Sequence, residues 1–179
     1  MSSSTLNSCR AARANAGTAL ALLGALATTL SGCRSAPAGG PPEIRLGRDQ
    51  CTECGMIINE DRCSCASRIT TDKGPDVALF DDIGCLLEHE RQNPDVKVLQ
   101  RFVHDYTTKA WANADAATFL WADALRTPMG SGIVAFSARS AAETAAKEHP
   151  GALYEFSALT AAHTRQMQEQ FGAPQEPAK

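Results

Sequence analysis

Cysteines are the residues of this chain whose types and spacing could do chemistry. Seven of them occur among 179 residues, at positions 9, 33, 51, 54, 63, 65 and 85. The closest pair forms the turn Cys51-Thr52-Glu53-Cys54-Gly55. A Cys-x-x-Cys-Gly turn lets two thiolates converge on one ion, and Gly55 can adopt the positive φ angle that reverses the chain. The pattern therefore predicts a metal-binding turn.

Two methionines could add thioether sulfur to this turn. Met56 follows it directly, and Met129 lies in the loop Thr127-Pro128-Met129-Gly130-Ser131-Gly132 rather than on an apolar helical stripe. Thiolates and thioethers are soft donors that favour Cu(I), whereas structural zinc sites normally use Cys and His. We therefore predict a Cu(I) site whose ligands are Cys51, Cys54, Met56 and Met129. A mixed site with few ligands suits transfer of the ion to a partner.

A second pair of cysteines leaves other interpretations open. Cys63 and Cys65 complete the pattern Cys-x2-Cys-x8-Cys-x-Cys, and four thiolates could close a tetrahedral zinc site that stabilises an interaction module. Alternatively, both lie on one face of a strand and help to load or guard the metal. A third hypothesis is a disulfide between Cys51 and Cys54, with or without thiol redox activity, because compartments outside the cytoplasm oxidise thiols.

The remaining candidate ligands have simpler structural roles. Asp81 and Asp82 precede a predicted helix and are suited to cap it, with a secondary metal role as the alternative for Asp82. Cys85 falls one turn into that helix beside leucines, which favours a small buried thiol. Met167 is expected to fill the core or the surface. The histidines lack metal-ligand spacing and are expected to be structural; they are His89, His104, His149 and His163.

The first 43 residues predict export and lipidation. Residues 1–32 combine a polar start, whose only charges are two arginines, with a run of small apolar residues, as in a signal peptide. The stretch Leu30-Ser31-Gly32-Cys33 resembles the bacterial lipobox, which makes Cys33 the acylated first residue of the mature chain. Residues 33–43 are expected to form a flexible tether. Acyl chains on Cys33 would hold the protein at a membrane of the cell envelope.

Composition excludes several classes of function. The 44% hydrophobic and 21% charged fractions are typical of a globular protein. The formal charge of −3 argues against a nucleic-acid partner, which would require a surplus of Lys and Arg. Neither a Gly-x-Ser-x-Gly motif nor a phosphate-binding Gly-x4-Gly-Lys-Ser/Thr motif occurs, and no carboxylate pair has a plausible catalytic frame. We therefore predict that the protein is not an enzyme.

Hydrophobic patterning predicts one α+β domain over residues 44–171, followed by a disordered tail at 172–179. In its first half we expect a hairpin of strands at 56–58 and 66–70. A strand at 77–80, a helix ending before Pro94 and a strand at 96–103 should follow.

The second half of the domain repeats this order. Strands are predicted at 119–121 and 133–136, followed by a helix that starts at the capping box Ser140-Ala141-Ala142-Glu143 and by a last helix at 157–171. Residues 77–91 and 132–149 both pass from an apolar strand ending in Phe into a helix. The repeat predicts two small strand-strand-helix units in one compact domain and suggests an internal duplication.

Four separated motifs carry a family resemblance, at residues 51–57, at 80–85, at Asp105 with Thr108 and Trp111, and at 127–133. On these motifs the sequence resembles the NosL family of copper-binding lipoproteins, which are accessory to nitrous oxide reductase. The resemblance implies a periplasm-facing lipoprotein that delivers Cu(I) to the reductase during assembly of its copper centres. Cys63 and Cys65 depart from the family pattern, in which ordinary strand residues are expected.

Overall fold

A computed structural model describes residues 39–172, so the predictions of a signal peptide and of lipidation at Cys33 fall outside the described residues, as does the predicted tail at 172–179 apart from Gly172. Within this part of the chain, no helix has both the length and the apolar character needed to cross a membrane. The elements are β1 (Cys65–Thr71), β2 (Gly74–Phe80), α1 (Ile83–Gln92), β3 (Lys97–His104), β4 (Trp111–Asn113), a short 3-10 helix (Ala114–Ala116), β5 (Thr118–Trp121), β6 (Ile133–Phe136), α2 (Arg139–Glu148), β7 (Ala152–Tyr154) and α3 (Phe156–Phe171).

The first unit consists of β1, β2, α1 and β3. Its three strands and β4 form an antiparallel sheet of order β2-β1-β3-β4. A two-residue turn, Asp72-Lys73, joins β1 to β2, and Gly74 ends it at a φ angle of 109°. Glycine adopts this left-handed angle without a steric penalty. The turn places Cys65 opposite Phe80, so β2 ends beside the start of β1. The residues that follow Phe80 therefore emerge at one edge of this sheet.

The second unit repeats the topology of the first. Strands β5, β6 and β7 form an antiparallel sheet of order β6-β5-β7, with α2 between β6 and β7 in the chain. Thr118 lies opposite Phe136, as Cys65 lies opposite Phe80 in the first unit. The predicted α+β class, with two strand-strand-helix units in one domain, is confirmed. An internal duplication would produce this repeat.

One hydrophobic core joins the two units. Phe80 and Leu86 from the first unit pack in the same buried cluster as Phe119 from the second and Leu159 from α3. Full burial of such side chains stabilises the fold by roughly 1.5–3 kcal/mol each. The core therefore holds α1 and α3 in fixed positions around the second sheet.

The strand predicted at 56–58 is wrong. Only Ile57 makes an isolated bridge, to Gln50, and the hairpin of the first unit is β1 with β2. The N–H of Cys51 donates to the carbonyl of Met56 at 2.8 Å, and the N–H of Ile58 donates to Asp49 at 2.9 Å. The apolar segment thus folds back on the Cys-x-x-Cys turn instead of extending beside β1.

The predicted capping box of α2 is also wrong. Ala138 is the residue before the helix, and it makes no side-chain capping hydrogen bond, so Ser140 lies inside the first turn. The reason is a tertiary contact: the N–H of Ser137 donates to the carboxylate of Asp105 at 2.7 Å. This bond fixes the end of β6 and makes the helix begin earlier than the sequence signal indicates.

Candidate metal centre

Three thiols and one carboxylate converge at the edge of the first sheet. The ligand atoms of Cys51, Cys54, Asp81 and Cys85 all lie within 4.8 Å of one another, and we call this group the thiol cluster. The Sγ atom of Cys54 is 3.6 and 3.7 Å from the two carboxylate oxygens of Asp81. Cys54 is half-buried and the other three are buried. Such a set of sulfur and oxygen atoms could bind a single metal ion.

The turn at 51–55 supplies two of these thiols and is fixed to β2. The N–H of Gly55 donates to the carbonyl of Cys51 at 2.9 Å, and Gly55 takes the predicted positive φ angle, 73°. The N–H of Thr52 donates to the carbonyl of Leu79 at 2.7 Å, and the N–H of Leu79 donates to the hydroxyl of Thr52 at 3.0 Å. The turn therefore lies against the strand that leads directly to Asp81.

The start of α1 supplies the other two ligands. Asp82 caps the helix by accepting the N–H of Gly84 at 2.7 Å. Asp81 immediately precedes this cap, and Cys85 lies in the first helical turn, four residues after Asp81. Asp81 lies outside the helix, because the backbone of Asp82 is extended, with φ −147° and ψ 143°. Both side chains nevertheless reach the Cys-x-x-Cys turn.

The cluster already favours a cation. The thiol of Cys85 donates a hydrogen bond to the sulfur of Cys51, which also accepts the backbone N–H groups of Cys54 and Asp81; these bonds lower the pKa of Cys51. The same thiol-to-sulfur bond raises the pKa of Cys85. Burial raises the pKa of Cys54. One thiolate is thus available near neutral pH, and a bound metal ion would displace the protons of the other two thiols.

The thiol cluster opens onto a cleft of about 490 Å³. Cys54 and Cys85 lie on its wall, and so does Met129. Three carboxylates and no Lys or Arg are among the described residues that line it, so the charge of the cleft attracts cations. The remaining lining residues are Glu53, Gly84, Glu88, Trp121, Asp123, Gly130, Ser131, Ile133, His163, Gln166, Met167 and Gln170.

The comparisons with known proteins identify the family of this chain. The model of the NosL family matches residues 44–164. The chain belongs to the NosL family. The fold is similar to the crystal structure of the copper chaperone NosL from Shewanella denitrificans, with a TM-score of 0.59 and 24% sequence identity over 68% of this chain and 96% of that chain. None of the curated proteins compared with the chain matches it.

In this NosL family member, the predicted ligand Met129 lies on the wall of the cleft beside the thiol cluster. Its side chain is 48% exposed and lines the same cleft as Cys54 and Cys85. The carboxylate of Asp82 accepts the N–H of Met129 at 2.9 Å and the hydroxyl of Ser131. The loop that the sequence places 44 residues beyond Cys85 is therefore fixed beside the start of α1.

The predicted ligand Met56 has a different position. Its side chain is 58% exposed and is not among the described residues that line the cleft. Its backbone N–H donates to the sulfur of Cys54, and its carbonyl closes the turn by accepting the N–H of Cys51. The backbone of Met56 thus shapes the cluster, while coordination by its thioether remains a prediction.

The structure does not bring the predicted secondary ligands into the cluster. Cys63 and Cys65 are buried in two separate hydrophobic clusters, and burial raises the pKa of both, to about 12 for Cys63. Cys63 precedes β1, so the two do not share a strand face. Asp82 uses both carboxylate oxygens for hydrogen bonds to α1 and to the Met129 loop. All five cysteines of the described range are free thiols.

Sequence reasoning gave Asp81 and Cys85 structural roles, and the structure places both in the thiol cluster. Asp82 rather than Asp81 was expected as the alternative ligand, whereas in the structure Asp81 lies in the cluster and Asp82 caps the helix. The available signal was that Asp81 and Cys85 both lie at the predicted start of a helix. The sequence does not show that the Cys-x-x-Cys turn lies against β2.

The histidines have distinct environments within the described residues. Nδ1 of His104 lies 2.9 Å from the carbonyl of Ser64, and Nδ1 of His89 lies 3.1 Å from a carboxylate oxygen of Glu53. The structural roles expected from the sequence fit these two contacts. His163 is different because it is buried and lines the cleft. Burial lowers its pKa.

Proposed function

We propose that this chain is a copper chaperone that binds Cu(I) at the thiol cluster and passes it to a partner protein. The observation that carries the proposal is the convergence of Cys51, Cys54, Cys85 and Asp81 within 4.8 Å at the side of an open cleft. Buried thiolates would hold a soft ion, and the open side would admit the donor atoms of a receiving protein. A relative of similar fold is called a copper chaperone, which agrees with this proposal.

The donor set favours Cu(I) over zinc on two grounds. Three of its four members are sulfur ligands, which Cu(I) prefers, and Met129 could add a thioether from the cleft. Structural zinc sites are closed by four protein ligands, whereas this site faces a cleft. The carboxylate of Asp81 is the feature that favours zinc, because it could complete a tetrahedral Cys3Asp site. Zinc retention is therefore the competing outcome of the test.

The delivery target and the location are further parts of the proposal. Membership of the NosL family supports nitrous oxide reductase as the receiving protein, during assembly of its copper centres. The lipobox-like stretch before Cys33 supports a lipid anchor that keeps the domain at a membrane surface and facing the periplasm. A binding and transfer role would require no catalytic residues, so we propose that the protein is not an enzyme.

Anaerobic titration of the reduced full chain with Cu(I), against a competing Cu(I) chelator, tests the binding step. We expect tight binding of the first equivalent, and we expect Cys85→Ala to weaken it by at least about tenfold, since perturbing metal ligands or their partners has effects of this size. Cys63→Ala is the matched control, because Cys63 is equally buried but lies outside the cluster. Zinc that survives purification and resists displacement by Cu(I) would contradict the proposal.

Transfer is tested by mixing the copper-loaded chain with copper-free nitrous oxide reductase and measuring the copper content of the separated proteins. Copper should move to the reductase faster from the loaded chain than from an equal amount of Cu(I) bound to the chelator. Loaded Cys63→Ala should behave like the wild type. Equal rates from the chain and from the chelator would contradict a specific delivery role.

Lipidation is tested by mass spectrometry of the N-terminal peptide from the mature protein. The proposal predicts an acylated Cys33 as the first residue and recovery of the protein with membranes. Cys33→Ser should leave the protein in the soluble fraction, while Cys9→Ser, a matched change within the predicted signal peptide, should not. An unmodified Cys33 in the wild-type protein would contradict the proposed anchor.

A further inference from the structure

The wall of the cleft formed by α3 carries donor atoms that the thiol cluster does not use. His163, Gln166, Met167 and Gln170 all line the cleft. Their spacing of three, four and seven residues puts them on one face of the helix. This face presents an imidazole, a thioether and two amides to the same space that Cys54 and Cys85 border. A helix that only packed against a core would present an apolar stripe there.

His163 is the unusual member of this face. Its side chain is 6% exposed, and neither of its ring nitrogens is among the atoms of residues 39–172 that are both buried and unpaired. His104, the other buried histidine, has its Nδ1 atom 2.9 Å from a carbonyl oxygen. His163 lines the cleft, so its imidazole could bind something that enters it.

A buried, unpaired atom lies on the same face. The side-chain oxygen of Gln166 is buried without a hydrogen-bond partner among the described residues. Met167, one helical turn after His163, supplies a thioether that is half-buried in the cleft wall. An imidazole nitrogen and a thioether sulfur four residues apart could bind one ion from a single helix face.

We propose that His163 and Met167 form a second Cu(I)-binding position on α3, across the cleft from the thiol cluster. This inference depends on the proposed function and deepens it, because the second position would receive the ion on its way between the cluster and the partner protein. Its donors are neutral, so it should hold Cu(I) more weakly than the thiolates do. A weak site beside a strong one allows the ion to move by stepwise ligand exchange.

The exchange involves no oxidation or reduction. The bonds between copper and the sulfurs of Cys51, Cys54 and Cys85 break, and bonds to a ring nitrogen of His163 and to the sulfur of Met167 form. Copper stays Cu(I) throughout, and the released thiolates of Cys54 and Cys85 take up protons from water. The shared cleft allows this movement without unfolding of either wall.

The test uses the full chain, labelled at the methionine methyl carbons and titrated anaerobically with Cu(I). The methyl signals of the methionines are followed by NMR at each step. The first equivalent should leave the Met167 signal nearly unchanged. The second equivalent should shift it, and X-ray absorption of the doubly loaded protein should then show imidazole scattering. His163→Phe keeps an aromatic ring in place and should abolish both changes. His149→Phe, a histidine outside the cleft, is the matched control and should alter neither.

Each outcome decides between the two proposals. Tight binding of the first equivalent with no shift of Met167 at two equivalents would overturn the second position and leave the chaperone proposal intact. Failure of the first equivalent to bind tightly would instead contradict the proposed function. Since the Met167 signal is measured on the wild-type chain, the test stands even if His163→Phe does not fold.

A kinetic measurement separates a transfer position from a storage position. Removal of the first Cu(I) by excess chelator should be at least about fivefold slower in Met167→Leu than in the wild type, with an unchanged affinity for that first ion. An unchanged rate of removal would show that the ion leaves the cluster without using α3. Gln168→Leu lies on the exposed side of the same helix and should have no effect on the rate.

Discussion

The carboxylate of Asp82 accepts the backbone N–H of Met129 at 2.9 Å, although 47 positions separate the two residues. The same carboxylate caps α1 through the N–H of Gly84 and accepts the hydroxyl of Ser131. One side chain therefore fixes both the helical turn that carries Cys85 and the loop that carries Met129. The position of a cleft-facing thioether depends on a helix cap.

Asp82→Ala should destabilise the protein by about 2–4 kcal/mol, because it removes a helix cap and two further hydrogen bonds to a buried carboxylate. It should also weaken Cu(I) binding, since the Met129 loop loses its attachment. Denaturant unfolding and chelator competition measure the two effects. Asp123→Ala, an exposed carboxylate on the same cleft, should change the free energy of unfolding by less than about 0.5 kcal/mol. Equal effects from the two substitutions would contradict the anchoring role.

Gly84→Ala should weaken Cu(I) binding without touching a ligand. A Cβ atom at position 84 would lie 2.7 Å from the Cβ atom of Ser131 and 3.2 Å from a carboxylate oxygen of Asp82. Alanine favours a helix by about 1 kcal/mol over glycine, but this contact forces the Met129 loop away from α1. Ser131→Gly removes the opposing Cβ atom, so the double variant should bind copper more tightly than the two single losses predict. If the losses of Cu(I) affinity in the two single variants simply add up in the double variant, the clash is not the cause.

Met129→Leu should weaken Cu(I) binding more than Met56→Leu does. Met129 lines the cleft beside Cys54 and Cys85, whereas the side chain of Met56 is 58% exposed and lies outside the described lining of the cleft. Leucine preserves the volume of methionine and removes only the thioether donor, so packing should change little. Chelator competition on the two variants gives the comparison. A larger loss in Met56→Leu would mean that the turn, and not the loop, supplies the thioether.

Binding of Cu(I) should release about two protons near pH 7, because metal binding requires deprotonated thiols. The pKa of Cys51 is lowered by its bond from Cys85, while the pKa values of Cys54 and Cys85 are raised, so two of the three thiols carry protons before the metal binds. Affinity should accordingly rise with pH. Calorimetry in buffers of different ionisation enthalpy counts the protons, and Cys54→Ala should reduce the number by about one, because Cys51 keeps its bond from Cys85. Binding without proton release would exclude Cys54 and Cys85 as ligands.

Most strands and the three α-helices could be predicted from the sequence because they follow local periodicity, whereas the three-residue strands β4 and β7 were missed. Ile133–Phe136 is apolar and short, and the structure contains this strand as predicted. Ile57 and Ile58 are as apolar as a strand but lie in a folded-back turn, since backbone groups of Gly47 and Asp49 occupy the hydrogen bonds of Ile58. The competing hydrogen-bond partners come from residues that a local pattern does not consider.

The candidate site was predictable to the extent that its ligands are adjacent in sequence. The spacing of Cys51 and Cys54 identifies them as candidate metal ligands. Asp81 and Cys85 join them only because the turn lies against β2 through Thr52 and Leu79. Two neighbouring aspartates also look alike in a sequence, and the backbone conformation at the start of α1 decides that Asp82 is the cap and that Asp81 faces the thiols.

Asp105 joins the two units through its charge. Its carboxylate accepts the N–H of Ser137 from the second unit at 2.7 Å, and on its own side it accepts the N–H of Thr108 at 2.8 Å and the N–H of Thr107 at 3.0 Å. Burial alone would raise the pKa of Asp105, but the hydrogen bonds from Ser137 and Thr108 outweigh it and lower the pKa to about 2. The charged form is therefore favoured in the folded protein relative to the unfolded chain.

This shift predicts an acid-sensitive contribution to stability. A carboxyl whose pKa falls from 3.8 when unfolded to about 2 when folded contributes about 2 kcal/mol above pH 4, and loses it as the pH falls from about 4 to 2. Asp105→Asn should remove this dependence, so the difference in unfolding free energy between wild type and variant should shrink over that interval. Urea unfolding at several pH values measures it. A difference between wild type and Asp105→Asn that stays flat over this interval would contradict the role of its charge in joining the units.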